Sequence, residues 1–292
     1  NRIDFASVSF LKNLTWEPIN ANQSTMIGYR TALKSINPIK VKTDPYGLSY
    51  LALDASGNLY SFGRNTHGQL GNGTTSYVSA AEPVGQNIKD FDVGHLHSAI
   101  ISGDNDELLF AGNSTYGQIA KRPSNAYNLT TFTKVNITGI GKIACGGYHT
   151  MFVPSSSSAS YNSGQVYTHG YNGYGQLGRP TPGRATTEFP SNSRSRFDVA
   201  NVAEISAGPY HSAVLSTNGD LYTFGYNTYG ELGRGNQAND TVHLTSPIAP
   251  FTNVSKVSLG TVHSAYIDAS DKLYTFGYDN YRQLGDSTYP VL

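Results

Sequence analysis

A chain of 292 residues with 20 basic and 20 acidic side chains has no net charge, so nothing global draws nucleic acid or an anionic membrane to it. Only 14% of residues are charged, while Gly (31) and Tyr (21) are abundant; the exposed faces of long helices need more charge than this, so strands and turns are expected. The single cysteine, Cys145, excludes a disulfide framework and multi-Cys zinc patterns, and is read as a small buried apolar residue.

In chain order, residues 1–42 contain Phe5-Ala-Ser-Val-Ser-Phe10, of strand character, and Ile36-Asn-Pro-Ile-Lys-Val41, the lead-in of a unit. Residues 43–285 hold five copies of one signature: Leu59-Tyr-Ser-Phe-Gly63 through Gly68-Gln-Leu-Gly71, Leu109-Phe-Ala-Gly112 through Gly117-Gln-Ile-Ala120, Val166-Tyr-Thr-His-Gly170 through Gly175-Gln-Leu-Gly178, Leu221-Tyr-Thr-Phe-Gly225 through Gly230-Glu-Leu-Gly233, and Leu273-Tyr-Thr-Phe-Gly277 through Arg282-Gln-Leu-Gly285. The glycines 63, 112, 170, 225 and 277 are separated by 49, 58, 55 and 52 residues. A period near 50 with β composition points to sheet units arranged around an axis. Within a copy, Val202–Ala207 and His211–Leu215 read as strands, and Asn218-Gly219 as a hairpin turn into Asp220–Phe224. The tail, residues 286–292, ends in Tyr289-Pro-Val-Leu292, comparable to the strand openings Glu82-Pro-Val84 and Ser246-Pro-Ile248.

The aromatic-Gly strand ends, the Asn-containing turns and the Gly-Gln-Leu-Gly motifs closely resemble the regulator-of-chromosome-condensation family over roughly residues 36–292. The family's Gly-x-x-His element is present as Gly94–His97, Gly146–His149, Gly208–His211 and Gly260–His263, and fails in the first copy, where Ser49 stands in place of His. Ala120, Glu231 and Arg282 are further departures. The resemblance implies an all-β propeller in one domain. The two chain ends are expected to share a sixth blade, since closure removes exposed strand edges. Seven blades, the commonest family form, is the alternative, and a start at Asn1 rather than Met reads as a processed product or a fragment.

Four recurring imidazoles, His97, His149, His211 and His263, raise a metal reading. No carboxylate or thiol recurs beside them, so each is expected to bond backbone within or between units. The turn aromatics Tyr116, Tyr174, Tyr229 and Tyr281, with His67 in the same slot, are expected to pack blade on blade, so that mutation of Tyr229 costs stability rather than affinity. No nucleophile elbow, phosphate loop, zinc-protease helix or calcium loop is present, which argues against an enzyme and against a bound cofactor or metal.

Two irregular segments are the candidate recognition loops: the turn Pro154–Gly164, with Tyr161, and the stretch from Arg179 to Arg196, with Arg184 and Arg194, suited to an acidic partner surface. Asn-x-Ser/Thr sequons at Asn13, Asn22, Asn72, Asn113, Asn128, Asn136, Asn239 and Asn253 tilt the reading toward a secreted or lumenal glycoprotein, with a cytoplasmic or organellar location the alternative. The expected function is a non-enzymatic scaffold for binding another protein, as a component of an extracellular assembly, with no nucleic-acid partner and no helical membrane span. Two other readings follow from the resemblance: nucleotide exchange on a small GTPase, and enzyme inhibition as in the related β-lactamase-inhibitor propeller. Aromatics clustered on one exposed face would be the sign of the latter.

Overall fold

The computed structural model describes residues 36–119, 128–156, 158, 164–178, 184–185, 196–197, 199, 201–235 and 251–285, with only the backbone described at 184–185 and 196–197. These residues form five antiparallel sheets, one for each sequence repeat. The first holds β1 (Pro38–Thr43), β2 (Ser49–Asp54), β3 (Leu59–Gly63) and β4 (Val78–Gly85), and the second β5 (Ile88–Val93), β6 (His97–Ser102), β7 (Glu107–Asn113) and β8 (Asn128–Lys134). The third holds β9 (Ile140–Cys145), β10 (His149–Pro154) and β11 (Val166–Tyr171), with the short strands β12 (Arg184–Ala185) and β13 (Arg196–Phe197) both paired to β11. The fourth holds β14 (Val202–Ala207), β15 (His211–Ser216) and β16 (Leu221–Gly225), and the fifth β17 (Val254–Leu259), β18 (His263–Asp268) and β19 (Leu273–Gly277).

The hairpins form where the turn chemistry asked for them. Gly57, Gly164 and Gly219 take φ of +79°, +74° and +84°, conformations that a side chain resists. An asparagine with positive φ, Asn87, Asn201 or Asn253, precedes the first strand of the second, fourth and fifth sheets, at +55°, +59° and +60°.

The core lies between sheets rather than within one. Leu51, Leu53 and Leu59 of the first sheet meet Phe91, Val93 and Ile100 of the second. The second meets the third through Phe110 and Ile101 against Ile140, Ile143 and Phe152, the third meets the fourth through Met151 and Val166 against Ile205 and Phe224, and the fourth meets the fifth through Leu215 and Leu221 against Val257 and Leu259. The second, third and fourth sheets therefore bury both faces because a neighbour stands on either side. The first strands β1, β5, β9, β14 and β17 are successive neighbours. Two ion pairs cross the first of these junctions, Lys40 with Asp90 and, at 3.2 Å, Lys42 with the buried Asp92. Asp92 also accepts the Cys145 N–H of the third sheet at 2.7 Å, so one carboxylate ties three units together. Cys145 itself is fully buried in the core between the second and third sheets, as expected of a small apolar residue.

Thr261 Oγ1 donates to the Pro45 carbonyl at 2.8 Å and links the fifth unit to the first. Among the described residues no apolar cluster joins those two sheets. Of the chain ends assigned to a sixth blade, 1–42 and 286–292, residues 38–42 lie in β1 of the first sheet, and 1–35 and 286–292 lie outside the described residues.

Candidate protein-binding face

The two halves of the repeat signature meet across one hairpin. In register, Ser49, His97, His149, His211 and His263 stand opposite Gly63, Gly112, Gly170, Gly225 and Gly277. Each of these glycines has φ between +101° and +116°, and a Cβ on it would lie only 2.3–2.7 Å from the nearest atom of the facing strand, a carbonyl oxygen in four of the five units. That kink lets the next residue donate its N–H to the same carbonyl, as Tyr171 does to Tyr148 at 2.8 Å and Tyr226 to Tyr210 at 2.9 Å. The glycine of Gly-x-x-His serves the imbedded ring: a Cβ at Gly94, Gly146, Gly208 or Gly260 would fall 2.5, 2.2, 2.4 or 2.4 Å from the imidazole Cε1 of its own unit.

The imidazoles do cross between units, but to a hydroxyl and not to backbone. His97, His149 and His211 place Nε2 at 2.7, 2.8 and 3.1 Å from Thr150, Ser212 and Ser264 of the following unit. Each hydroxyl in turn donates to a carbonyl of the preceding unit, Gln118, Gln176 or Glu231, at 2.8, 2.8 and 2.7 Å. Because the hydroxyl proton is spent on the carbonyl, the ring donates from Nε2. Burial pushes His97 down to about 3, against a partial opposing pull from Asp92. Among the described residues no group of three or more His, Cys, Asp or Glu is arranged to hold a metal ion.

The Gly-Gln-Leu-Gly turns are self-capped. Gln69, Gln118, Gln176 and Gln283 accept the N–H of the residue two before them at 2.8–3.0 Å, and Glu231 does the same for Tyr229 at 2.9 Å. An Asn or Asp earlier in the turn accepts the Leu N–H, as Asn172 does for Leu177 and Asp279 for Leu284. These bonds fix the intervening aromatic at the seam with the next unit. Tyr116 meets Tyr148 and Tyr171 edge-on, both at 5.3 Å between ring centres; Tyr174 meets Tyr210 at 5.4 Å and Tyr226 at 5.0 Å; Tyr229 meets Tyr278 at 4.8 Å. Tyr46 and His95, 4.4 Å apart, join the series through Tyr148.

The turn tyrosines therefore pack unit against unit, as expected of them. They touch across seams, yet all lie at one end of the sheets, and none is fully buried. Tyr46 is 42% exposed, Tyr229 45% and Tyr281 84%. Burial and the neighbouring Tyr46 and Tyr148 raise the Tyr210 hydroxyl above its ordinary range, so it remains a neutral hydrogen-bonding group.

Charge is segregated between the two ends. At the tyrosine end the carboxylates Asp44, Glu231 and Asp279 are buried, whereas Arg64 is half-buried and Arg282 exposed. The hairpins at the opposite end carry Asp54, Asp104, Asp106, Asp220, Asp268 and Asp271, with Lys272 among them, Lys89 ion-paired to Asp106 and Lys134 to Glu107. A formal charge of zero hides this.

The candidate arginine loop is only partly a loop. Tyr171 pairs with Arg184 and Tyr167 with Arg196, so both arginines occupy the outer edge-strand position beside β11 that β4 and β8 fill in the first two sheets. Arg179, Arg194 and Tyr161 lie outside the described residues. The start of the long turn is anchored, with Ser155 N–H donating to Gly139 O at 2.8 Å, and stands at the hairpin end, away from the tyrosines. Of the sequon asparagines, Asn113 is buried and donates its side-chain amide to Asn128 at 2.9 Å, which leaves no room for a glycan in the folded chain. Asn72 donates to Glu82 at 3.0 Å, and Asn136 and Asn253 occupy positive-φ turn positions, both exposed. Asn13, Asn22 and Asn239 lie outside the described residues.

Radially repeated antiparallel sheets with a shared core at each seam define a repeat-built β-propeller. Models of the regulator of chromosome condensation (RCC1) repeat match residues 202–231 in one form and 56–101, 163–215 and 218–267 in another, about half the chain. The chain belongs to the RCC1 repeat family. It is 29% identical over 261 residues to the ultraviolet-B receptor UVR8 of Arabidopsis thaliana, covering 87% of this chain and 56% of that protein. It is 26% identical to the regulator of chromosome condensation of Xenopus laevis, covering 88% of this chain and 63% of that protein. The crystal structure of Prp20p from Saccharomyces cerevisiae superposes with a TM-score of 0.66 at 20% identity, over 85% of this chain and 59% of that one. The chain thus spans little more than half the length of these relatives.

Proposed function

We propose that this propeller is a non-enzymatic module that binds another protein through its tyrosine-lined end. The observation that carries the proposal is the run of partly exposed, mutually braced tyrosines supplied by equivalent positions of successive units. Tyrosine gives large, rigid contact area at little entropic cost, with a hydroxyl to satisfy a partner's polar groups. The description of Prp20p includes binding to Gsp1p and histones, which accords with a propeller that works through protein contacts.

The test compares capture from source by the wild-type chain with capture by Tyr229→Ala and by Asp104→Ala, a change at the opposite end. Partners lost only with the tyrosine variant support the reading, and partners lost only with Asp104→Ala would move the binding face to the hairpin end. Acceleration of nucleotide exchange in a panel of small GTPases would instead favour the exchange-factor alternative. The secreted-glycoprotein reading is a separate proposal, checked by intact mass before and after glycan removal; an unchanged mass rejects it.

A further inference from the structure

One seam at the tyrosine end differs from the others in its chemistry. The residue after the strand-end glycine is Tyr171, Tyr226 and Tyr278 in the last three units, but Arg64 in the first. The turn aromatic is a tyrosine in the last four units and His67 in the first. The residue after the first glycine of Gly-x-x-His is Gly147, Pro209 and Thr261 in the last three units, but His95 in the second. Three departures therefore fall at the junction of the first two units, and each brings in a cation or an imidazole. The geometry places them together. Arg64 Nε donates at 3.3 Å to Thr66 Oγ1, which stands 3.0 Å from His67 Nδ1. The Arg64 N–H donates at 2.8 Å to the carbonyl of Leu48, two residues from Tyr46, whose ring meets His95 edge-on at 4.4 Å. All three side chains are half-buried.

Among the described residues Arg64 forms no ion pair, its Nη groups make no hydrogen bond, and the buried Nδ1 of His95 has no partner. A half-buried polar group left unmet is a cost that a ligand can relieve. Asp44, the carboxylate that acts on His95, is engaged by its own loop: Oδ1 accepts the N–H groups of Tyr46 and Leu48, and Oδ2 that of Ser49. We propose that Arg64, His67 and His95 form a binding site for one carboxylate, held by the guanidinium and by N–H groups of the rings. One permanent cation matches a single negative charge. A phosphate dianion would leave a charge unmatched until a ring took up a proton, which burial and Arg64 both oppose. A bound carboxylate favours the charged rings, so binding takes up protons and strengthens as pH falls. The charged and titratable groups facing His95 are Arg64, His67, Asp44, His97, Tyr46 and Tyr148, and Arg64 also faces His67. The site does not depend on the tyrosine end being the protein-binding face, since a free acid, a side chain and a chain terminus all carry the group.

The experiment titrates the full chain with acetate, N-acetylglutamate α-amide, N-acetylglycine and inorganic phosphate, and follows the imidazole resonances by NMR. His67→Tyr and His95→Gly assign the two rings, and Arg64→Tyr tests the cation. Each substitution installs a residue that other units carry at the same place, so the fold should hold, which melting curves check; Arg64→Gln gives a second measure should Arg64→Tyr fail to fold. The carboxylates should produce saturable shifts of His67 and His95 while the buried His97, His149 and His211 stay still. Binding should be about tenfold weaker in Arg64→Tyr, and about fivefold tighter at about pH 5.5 than at about pH 7.5. Equal binding of the three carboxylates supports a site for the free group, whereas preference for the glutamate amide or for N-acetylglycine supports a side chain or a chain terminus as its source. Shifts that never saturate, binding unaltered in the Arg64 variants, or affinity flat with pH would overturn the proposal. Tighter binding of phosphate than of every carboxylate at about pH 7.5 would replace it with a phosphate site.

Discussion

Glu231 is a buried carboxyl in a slot that four of the five units fill with glutamine. Its Oε2 accepts the Tyr229 N–H at 2.9 Å, and its Oε1 is buried with no hydrogen-bond partner. Burial raises its pKa, only partly opposed by the backbone N–H groups, and no cation contributes to the balance. Gln176 occupies the same place in the preceding unit with its Nε2 likewise unpartnered, so Glu231→Gln changes charge while leaving the pairing about as it was. As pH rises past the ordinary carboxyl value of 4.5, the unfolded chain gives up this proton before the folded chain does, and stability falls. Glu231→Gln removes that loss. An unpaired buried polar group costs about 1–3 kcal/mol, and for a chain of this size each kcal/mol moves the melting temperature by about 2–4 °C. Thermal unfolding of both proteins across pH should therefore show the variant melting higher at about pH 8, the gap closing toward about pH 4, where both side chains are neutral. A gain that is constant with pH, or a variant that is less stable throughout, would refute the assignment of Glu231 as a charge-burial defect.

Three further outcomes follow from the seams. Asp92→Ala removes both the Lys42 ion pair and the acceptor of the Cys145 N–H, and should cost about 3 kcal/mol in urea unfolding; an effect below about 1 kcal/mol would mean that solvent reaches the site. Ser212→Ala strands His149 Nε2 and the Gln176 carbonyl together and should cost about 2–4 kcal/mol, with Ser212→Thr recovering most of it, since Thr150 fills the equivalent place. His97 is held at about 3 against 6.5 when unfolded, so its share of stability is complete above 6.5 and is lost as pH falls toward 3, because only the unfolded ring binds the proton in that window. His97→Asn should flatten the acid limb of the stability profile between those values, and an unaltered limb would show that other groups dominate it.

Most of the fold was legible because it repeats. The aromatic-Gly strand ends, the Gly-x-x-His elements and the Gly-Gln-Leu-Gly turns each showed a local geometric need several times over, and the five sheets follow them. The imidazole partner was not inferred, although a signal existed: His97-Ser98, His149-Thr150, His211-Ser212 and His263-Ser264 place a hydroxyl after each ring. Its use lies one unit away, where a residue's own neighbours in sequence give no hint. The tyrosine end was half legible. Tyr171, Tyr226 and Tyr278 follow the strand-end glycines, and Tyr148 and Tyr210 precede the imidazoles, but only the His-to-Gly register brings the two sets together. A charged, proline-bearing stretch reads as recognition in sequence, while two of its residues complete the outer edge of β11.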